Sequence, residues 1–305
     1  MNLETIEINR HKRLKTFYIL FFIGLALLAL AIVFILIYFL GNVETFTLPG
    51  FAILIVGIIL IVLSFTISSN RYETFVKDTL EKSIMEEVYK DNKFTYVQNN
   101  GISFKEMNYS GMFRMPDEFQ TSDTIRSTYK DVEFVVSDYI FTRITTTTDS
   151  HGHHQQNRYP YPGRYMSFHL ERNFGAGLAI VEKRNNCDVI NTNLYKEKVD
   201  FESIDFAKRF ITTASDRQKA FYLIRPKEIM DLLEIDDKYK GNIVNILVNN
   251  MVYFLLADTQ IVFHYSIFHK IDESLINDVK AYYELPLRII DILNLSNSKF
   301  NSTDL

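Results

Sequence analysis

Residues 17–40 read FYILFFIGLALLALAIVFILIYFL, and residues 48–67 read LPGFAILIVGIILIVLSFTI. Neither run holds a charged residue, a His, an Asn or a Gln. At 1.5 Å per residue, a hydrocarbon core ~30 Å thick is crossed by about 20 helical residues. The two runs are 24 and 20 residues long. Being apolar on every face, they are expected to be membrane spans rather than core helices. Pro49 stands at the start of the second, where a missing N–H costs nothing. The link at 41–47 is short enough to force an antiparallel hairpin. A cleaved signal peptide does not fit, because its apolar region is only about 7–15 residues.

The flanks set the orientation. Arg10, Lys12, Arg13 and Lys15 precede the first run, and Arg71, Lys77 and Lys82 follow the second. Between the runs there is no Lys or Arg, and Glu44 is the sole charge. Positive charge stays on the cytoplasmic side, so both termini and the main domain are expected inside, in a multi-pass protein of the cell membrane. The single Cys187 agrees with a reducing compartment. Ionisable groups are missing from both runs, which argues against a channel or carrier built from the hairpin alone. Gly24, Ala26, Ala29, Ala31, Gly50 and Gly57 allow close helix approach. They are expected to pack the hairpin against itself, with a homo-oligomer interface as the alternative.

Beyond the hairpin the composition is ordinary. Over all 305 residues, 47% are hydrophobic and 23% charged, with a net charge of −4. This excludes a purely soluble protein, a disordered chain and a disulfide scaffold, and it gives no field to attract nucleic acid. The expected fold class is α+β: a transmembrane helical hairpin, then a largely antiparallel-sheet cytoplasmic domain with flanking helices. The expected segments are a cytoplasmic N-terminal stretch at 1–16, the hairpin at 17–67, a juxtamembrane amphipathic helix at 68–92, the α+β domain at 93–293 and a polar tail at 294–305. The domain could divide into two subdomains near 190–205.

Within 68–92, Tyr72, Phe75, Val76, Leu80, Ile84 and Val88 form a stripe at three- and four-residue steps. Glu73 with Lys77, Asp78 with Lys82 and Glu86 with Lys90 are favourably ordered pairs four apart. Strands are expected at 132–146, 165–171, 178–182, 219–225, 242–248, 251–257 and 260–267, from their β-branched and aromatic content. The second and third read as a hairpin, and Asn249–Asn250 as a tight turn. Pro226 opens a helix with acids early. Further helices are expected at 272–284 and, restarted by Pro286, to 292. Tyr139, Phe141, Phe168, Leu170, Phe221, Leu223, Phe254 and Phe263 are the expected core.

Chemistry-bearing motifs are few. His151, His153 and His154, with Asp149 as a fourth donor, could chelate a metal. Their setting between 147 and 164 is polar and reads as a solvated loop, so no metal site or cofactor is expected there. Arg158, Tyr159, Tyr161, Arg164 and Tyr165 mix basic and aromatic groups that suit a partner surface or the covering of a sheet. Gly175 and Gly177 lack a following helix and read as a turn rather than a dinucleotide cradle. Cys187 has no neighbouring His to activate it. No catalytic residue is assigned.

The order of elements resembles that of bacterial two-pass membrane proteins carrying a cytoplasmic domain of unknown function. The resemblance rests on FKEMNYSGMF, SDTIRSTYKDVEFVVSDY, RYMSFHL, GLAIVEKR and FESIDFAKRFITTASDRQKAFYLIRP. Its closest part runs from Phe206 and Phe210 through Asp216 and Ala220 to Pro226. Genes of that family often neighbour those of LemA-type membrane proteins, which implies such a protein as a partner. The resemblance implies no active site. The expected function is a membrane-anchored interaction or scaffold module. A membrane-bound enzyme and a structural membrane oligomer are the alternatives.

Overall fold

In the computed structural model the described residues are 3–41, 47–98, 100–148, 154–184, 188–239, 241–257, 263 and 265–297. Residues 42–46, Asp149, His151, His153, Cys187, 258–262 and 298–305 lie outside them. The chain forms two compact units, one of residues 1–88 with 262–283 and one of residues 89–261 with 284–305.

The first unit is helical. Helix α1 covers Leu3–Gly41 and α2 covers Thr47–Val76. Both are long and apolar enough to cross a membrane. They meet at two glycines. A Cβ on Gly24 would lie 2.9 Å from the Gly57 carbonyl oxygen, and one on Gly57 would lie 3.1 Å from that of Gly24. Gly24, Ala31, Gly50 and Gly57 are thus buried within the hairpin, whereas Ala26 and Ala29 are exposed. Phe22, Ile32, Phe51, Ile55 and Val62 face outward.

Residues 3–16 are helical and continuous with the uncharged run in α1. The α2 helix likewise runs on, through a π-helical turn at Lys77–Glu81, into α3 at Lys82–Val88. Residues 265–283 return to these helices. The Tyr265 and Tyr283 hydroxyls donate to the two Glu81 carboxylate oxygens at 2.8 and 2.9 Å. Lys280 pairs with Glu87 at 2.9 Å, and Arg10 donates to the Ile267 carbonyl at 2.9 Å. The strand expected at 260–267 is absent over its described residues. Tyr265 and Ser266 are irregular and Ile267 begins a turn. Tyr265 and Ile267 are buried, and their alternation comes from burial on helices rather than from a ladder. The two helices expected around Pro286 are one, α8, Glu273–Ile292. Burial of Val279, Tyr283, Leu285, Ile289 and Ile290 carries it through the proline.

The second unit is built on one nine-stranded sheet. Its strands are β1 (Phe94–Val97), β2 (Glu118–Tyr129), β3 (Val132–Thr148), β4 (His154–His169), β5 (Gly177–Glu182), β6 (Glu197–Lys198), β7 (Phe210–Ala214), β8 (Asn242–Val248) and β9 (Met251–Ala257). The order is β1-β2-β3-β4-β9-β8-β5-β7-β6, with every pair antiparallel. The sheet takes strands from both sides of residues 190–205. It also corrects the expected hairpin of β4 with β5. The β8–β9 hairpin, turned at Asn249 with φ 55°, lies between them.

Over its described residues, 147–148 and 154–164, the polar stretch is a ribbon rather than a loop. The β3–β4 pairing continues to Thr148↔His154, whereas β2 leaves β3 at Thr142 and β9 leaves β4 at Gly163. Threonine on β3 and tyrosine on β4 favour it, and Pro160 and Pro162 are tolerated where β4 has no second neighbour. The expected strand at 219–225 is also corrected. After the short helix α5, Ile204–Arg209, residues Arg217–Leu223 form helix α6, because the Asp216 carboxylate accepts from the N–H groups of Gln218 and Lys219 and starts a helix there. Phe221 consequently leaves the core and is 44% exposed. Of the other expected core residues, Phe263 is half-buried and the rest are buried.

The sheet has two covered faces. On the front, Tyr139, Phe141, Tyr165, Val181, Val244, Ile246, Tyr253 and Leu255 pack against Ile102, Met107, Met112, Phe113, Val189 and Ile190. Met107 belongs to the short helix α4, Phe104–Met107. On the back, Leu178, Ile180, Leu247 and Val252 meet Leu223, Leu232, Leu293 and Leu295 around a void of about 40 Å³. Leu232 lies on helix α7, Pro226–Lys238, which starts at the expected proline. The buried carboxylates of Glu182 and Asp236 tie β5 to α7 through Arg184.

Candidate functional site

The front cover does not reach the whole sheet. Where it stops, a cleft of about 710 Å³ opens over β1, β2, β3, β4 and β9. Adjacent strands lie ~4.8 Å apart, so five strands give a floor about 19 Å across. The register aligns its side chains in rows. One row runs Thr95, Arg126, Val135, Ser167, Tyr253, each opposite the next on neighbouring strands. The next row carries Thr128, Glu133, His169 and Met251. Lys93 also lines the cleft, and Glu106 and Tyr109 stand above its floor.

Local chemistry fixes each group. Ser103 caps α4 by accepting from the Glu106 N–H, which orients the first turn. Glu106 then pairs with Arg126 at 2.7 Å, with both side chains nearly half exposed. The Ser127 hydroxyl donates to the Lys93 carbonyl at 3.0 Å and pins the end of β1. His169 Nε2 lies 2.8 Å from the Asn250 side-chain amide, which holds the ring at the β8–β9 turn. Tyr165 and Tyr253 are each 2% exposed, with ring centroids 6.1 Å apart. Burial pushes the Tyr253 phenol up to about 12 and raises that of Tyr165. Both are therefore neutral hydrogen-bonding groups at physiological pH. Tyr109, by contrast, is 73% exposed.

The arrangement offers a long floor beside the exposed ring of Tyr109, with one ion pair, and a lysine and a carboxylate at separate points. Such a set recognises an extended ligand by shape and by several weak polar contacts. Tyr165, named from the sequence, lies in the cleft. Arg158 pairs with Glu118 and Tyr159 is exposed, both on the ribbon. Tyr161 packs on the core, and Arg164 is buried, 3.8 Å from Asp138. Gly175 has φ 55°, as a turn requires, and Tyr195 covers Gly177. Among the described residues no three His, Cys, Asp or Glu side chains converge as metal ligands. His154 meets Thr148 on the ribbon at 2.9 Å. The rest of the cleft was missed in the sequence. Its residues come from five strands and α4, and only the long-range register brings them together.

Residues 161–295 carry a domain described as DUF3137, a protein of unknown function. The match takes in β9 and β4 from Tyr161 onward, which form one side of the cleft floor. No curated protein matches the chain. Among solved structures, the crystal structure of the mycobacterial trehalose monomycolate transport factor A, TtfA, is similar over 71% of this chain and 96% of that one, at 8% identity and a TM-score of 0.33.

Proposed function

We propose that this chain is a membrane-anchored binding module, and that the cleft on its sheet holds an extended segment of a partner protein. In this reading α1 and α2 cross the bilayer, and both termini and the sheet unit lie in the cytoplasm. The carrying observation is the open cleft around the exposed Arg126 and Tyr109, beside short edge strand β1. Such a floor next to a sheet edge suits extended polypeptide, whose backbone and alternate side chains meet polar and aromatic groups in turn. The exposed apolar surface of the two long helices supports the anchor. The Lys and Arg residues flanking them, against none between, support the orientation. The resemblance to bacterial two-pass proteins makes a LemA-type membrane protein the first partner to seek.

The test is affinity purification of the full chain in mild detergent, with co-purified proteins identified. Tyr109→Ala and Arg126→Glu alter the cleft at exposed positions. A membrane protein retained by the wild-type chain should be lost or reduced at least about tenfold with these variants, a change of ~1.4 kcal/mol. Equal recovery with wild type and both variants would overturn the reading.

A further inference from the structure

The segment that returns to the helical unit ends in a tight turn. The Ser266 hydroxyl accepts from the Phe268 N–H at 3.2 Å, and the Ser266 carbonyl accepts from the His269 N–H at 3.2 Å. The turn is fixed on both sides. Tyr265 is bound to Glu81, and Ile267 is buried with its carbonyl held by Arg10. Phe268 is left at the tip, 46% exposed. Its ring stands edge-on to Phe17, centroids 5.0 Å apart. Phe17 is the first residue of the uncharged run in α1, and it also meets Phe65 near the end of the uncharged run in α2, at 5.0 Å.

We infer that this turn is a third membrane contact, with the Phe268 ring seated in the headgroup–acyl boundary of the bilayer. The inference rests on the proposed spanning of α1 and α2. An exposed apolar ring continuous with the first residue of a span lies where water gives way to hydrocarbon, and a Phe flanked by lysines buries its ring at the headgroup–acyl boundary. Lys12, Lys15 and Lys270 are exposed on the flanking segments and suit anionic headgroups. Asp272, the nearest acid after the turn, is occupied in accepting from the Leu275 N–H at 2.9 Å.

The chain contains no tryptophan, so a single introduced one is a unique reporter. Full-length Phe268→Trp and, separately, Leu30→Trp are placed in phosphatidylcholine–phosphatidylglycerol vesicles. The vesicles carry a nitroxide either near the carbonyl end or near the methyl end of the acyl chain. Leu30 lies deep in the first run and is exposed. Phe268→Trp should emit at blue-shifted wavelength and be quenched more by the shallow label. Leu30→Trp should be quenched more by the deep one. Quenching of Leu30→Trp with no quenching of Phe268→Trp overturns this inference and leaves the spanning reading intact. Failure of both labels to quench Leu30→Trp overturns the spanning reading and this inference with it.

Discussion

On β9, Phe254 is wholly buried, whereas Phe221 on α6 is 44% exposed and stacks edge-on with Phe201 at 5.4 Å. The two residues look equivalent in the sequence, each within a run rich in aromatic and β-branched residues. Their energetics differ, because truncating a buried ring removes its transfer energy and leaves a cavity, while an exposed ring loses few contacts. Phe254→Ala should lower the stability of the full chain in detergent by about 3–5 kcal/mol. Phe221→Ala should fall within about 1 kcal/mol of wild type, as exposed substitutions do. Thermal or denaturant midpoints of the two variants compare them directly, and equal losses would mean that α6 is wrongly faced.

At the scale of elements, legibility followed how much of the signal was local. The apolar runs within α1 and α2, the β8–β9 hairpin with its Asn-Asn turn, and α7 behind Pro226 all carry their cause within a dozen or so residues. β2 does not. Its sequence, EFQTSDTIRSTY, is mostly polar, and its buried Thr124 and Ser127 are satisfied by the Asn100 and Lys93 carbonyls across β1. The cleft was invisible for the same reason, since a row such as Arg126–Val135–Ser167–Tyr253 exists only after strands have paired. The π turn at 77–81 shows a further non-local cause. It carries Glu81, the shared acceptor for two tyrosines that lie 184 and 202 residues away. Glu81→Ala strips both phenols of this acceptor, which should cost about 1–3 kcal/mol. Amide exchange of 265–283 should quicken in that variant while exchange in β8 and β9 stays at the wild-type rate. Uniform acceleration would show that the contact holds the whole chain rather than its helical unit.

For the whole molecule, the proposed anchor makes a definite statement about sidedness. A cysteine introduced at Asn42, in a chain whose Cys187 is replaced by Ser, should react with a membrane-impermeant maleimide in intact cells. Labelling confined to lysed cells would place the link inside and reverse the orientation of the sheet unit. The helical unit also has a consequence for biogenesis. Its two long helices are made first, yet the tyrosine that closes on Glu81 follows 184 residues later. At about 5–20 residues per second, the ribosome delivers that tyrosine on the order of 10–40 s after the glutamate. For that interval the two long helices lack the tyrosines that donate to Glu81, while the sheet strands emerge. Closure of Tyr265 and Tyr283 on Glu81 therefore follows synthesis of the intervening sheet strands, and a chain stalled before residue 265 would lack both of these donors.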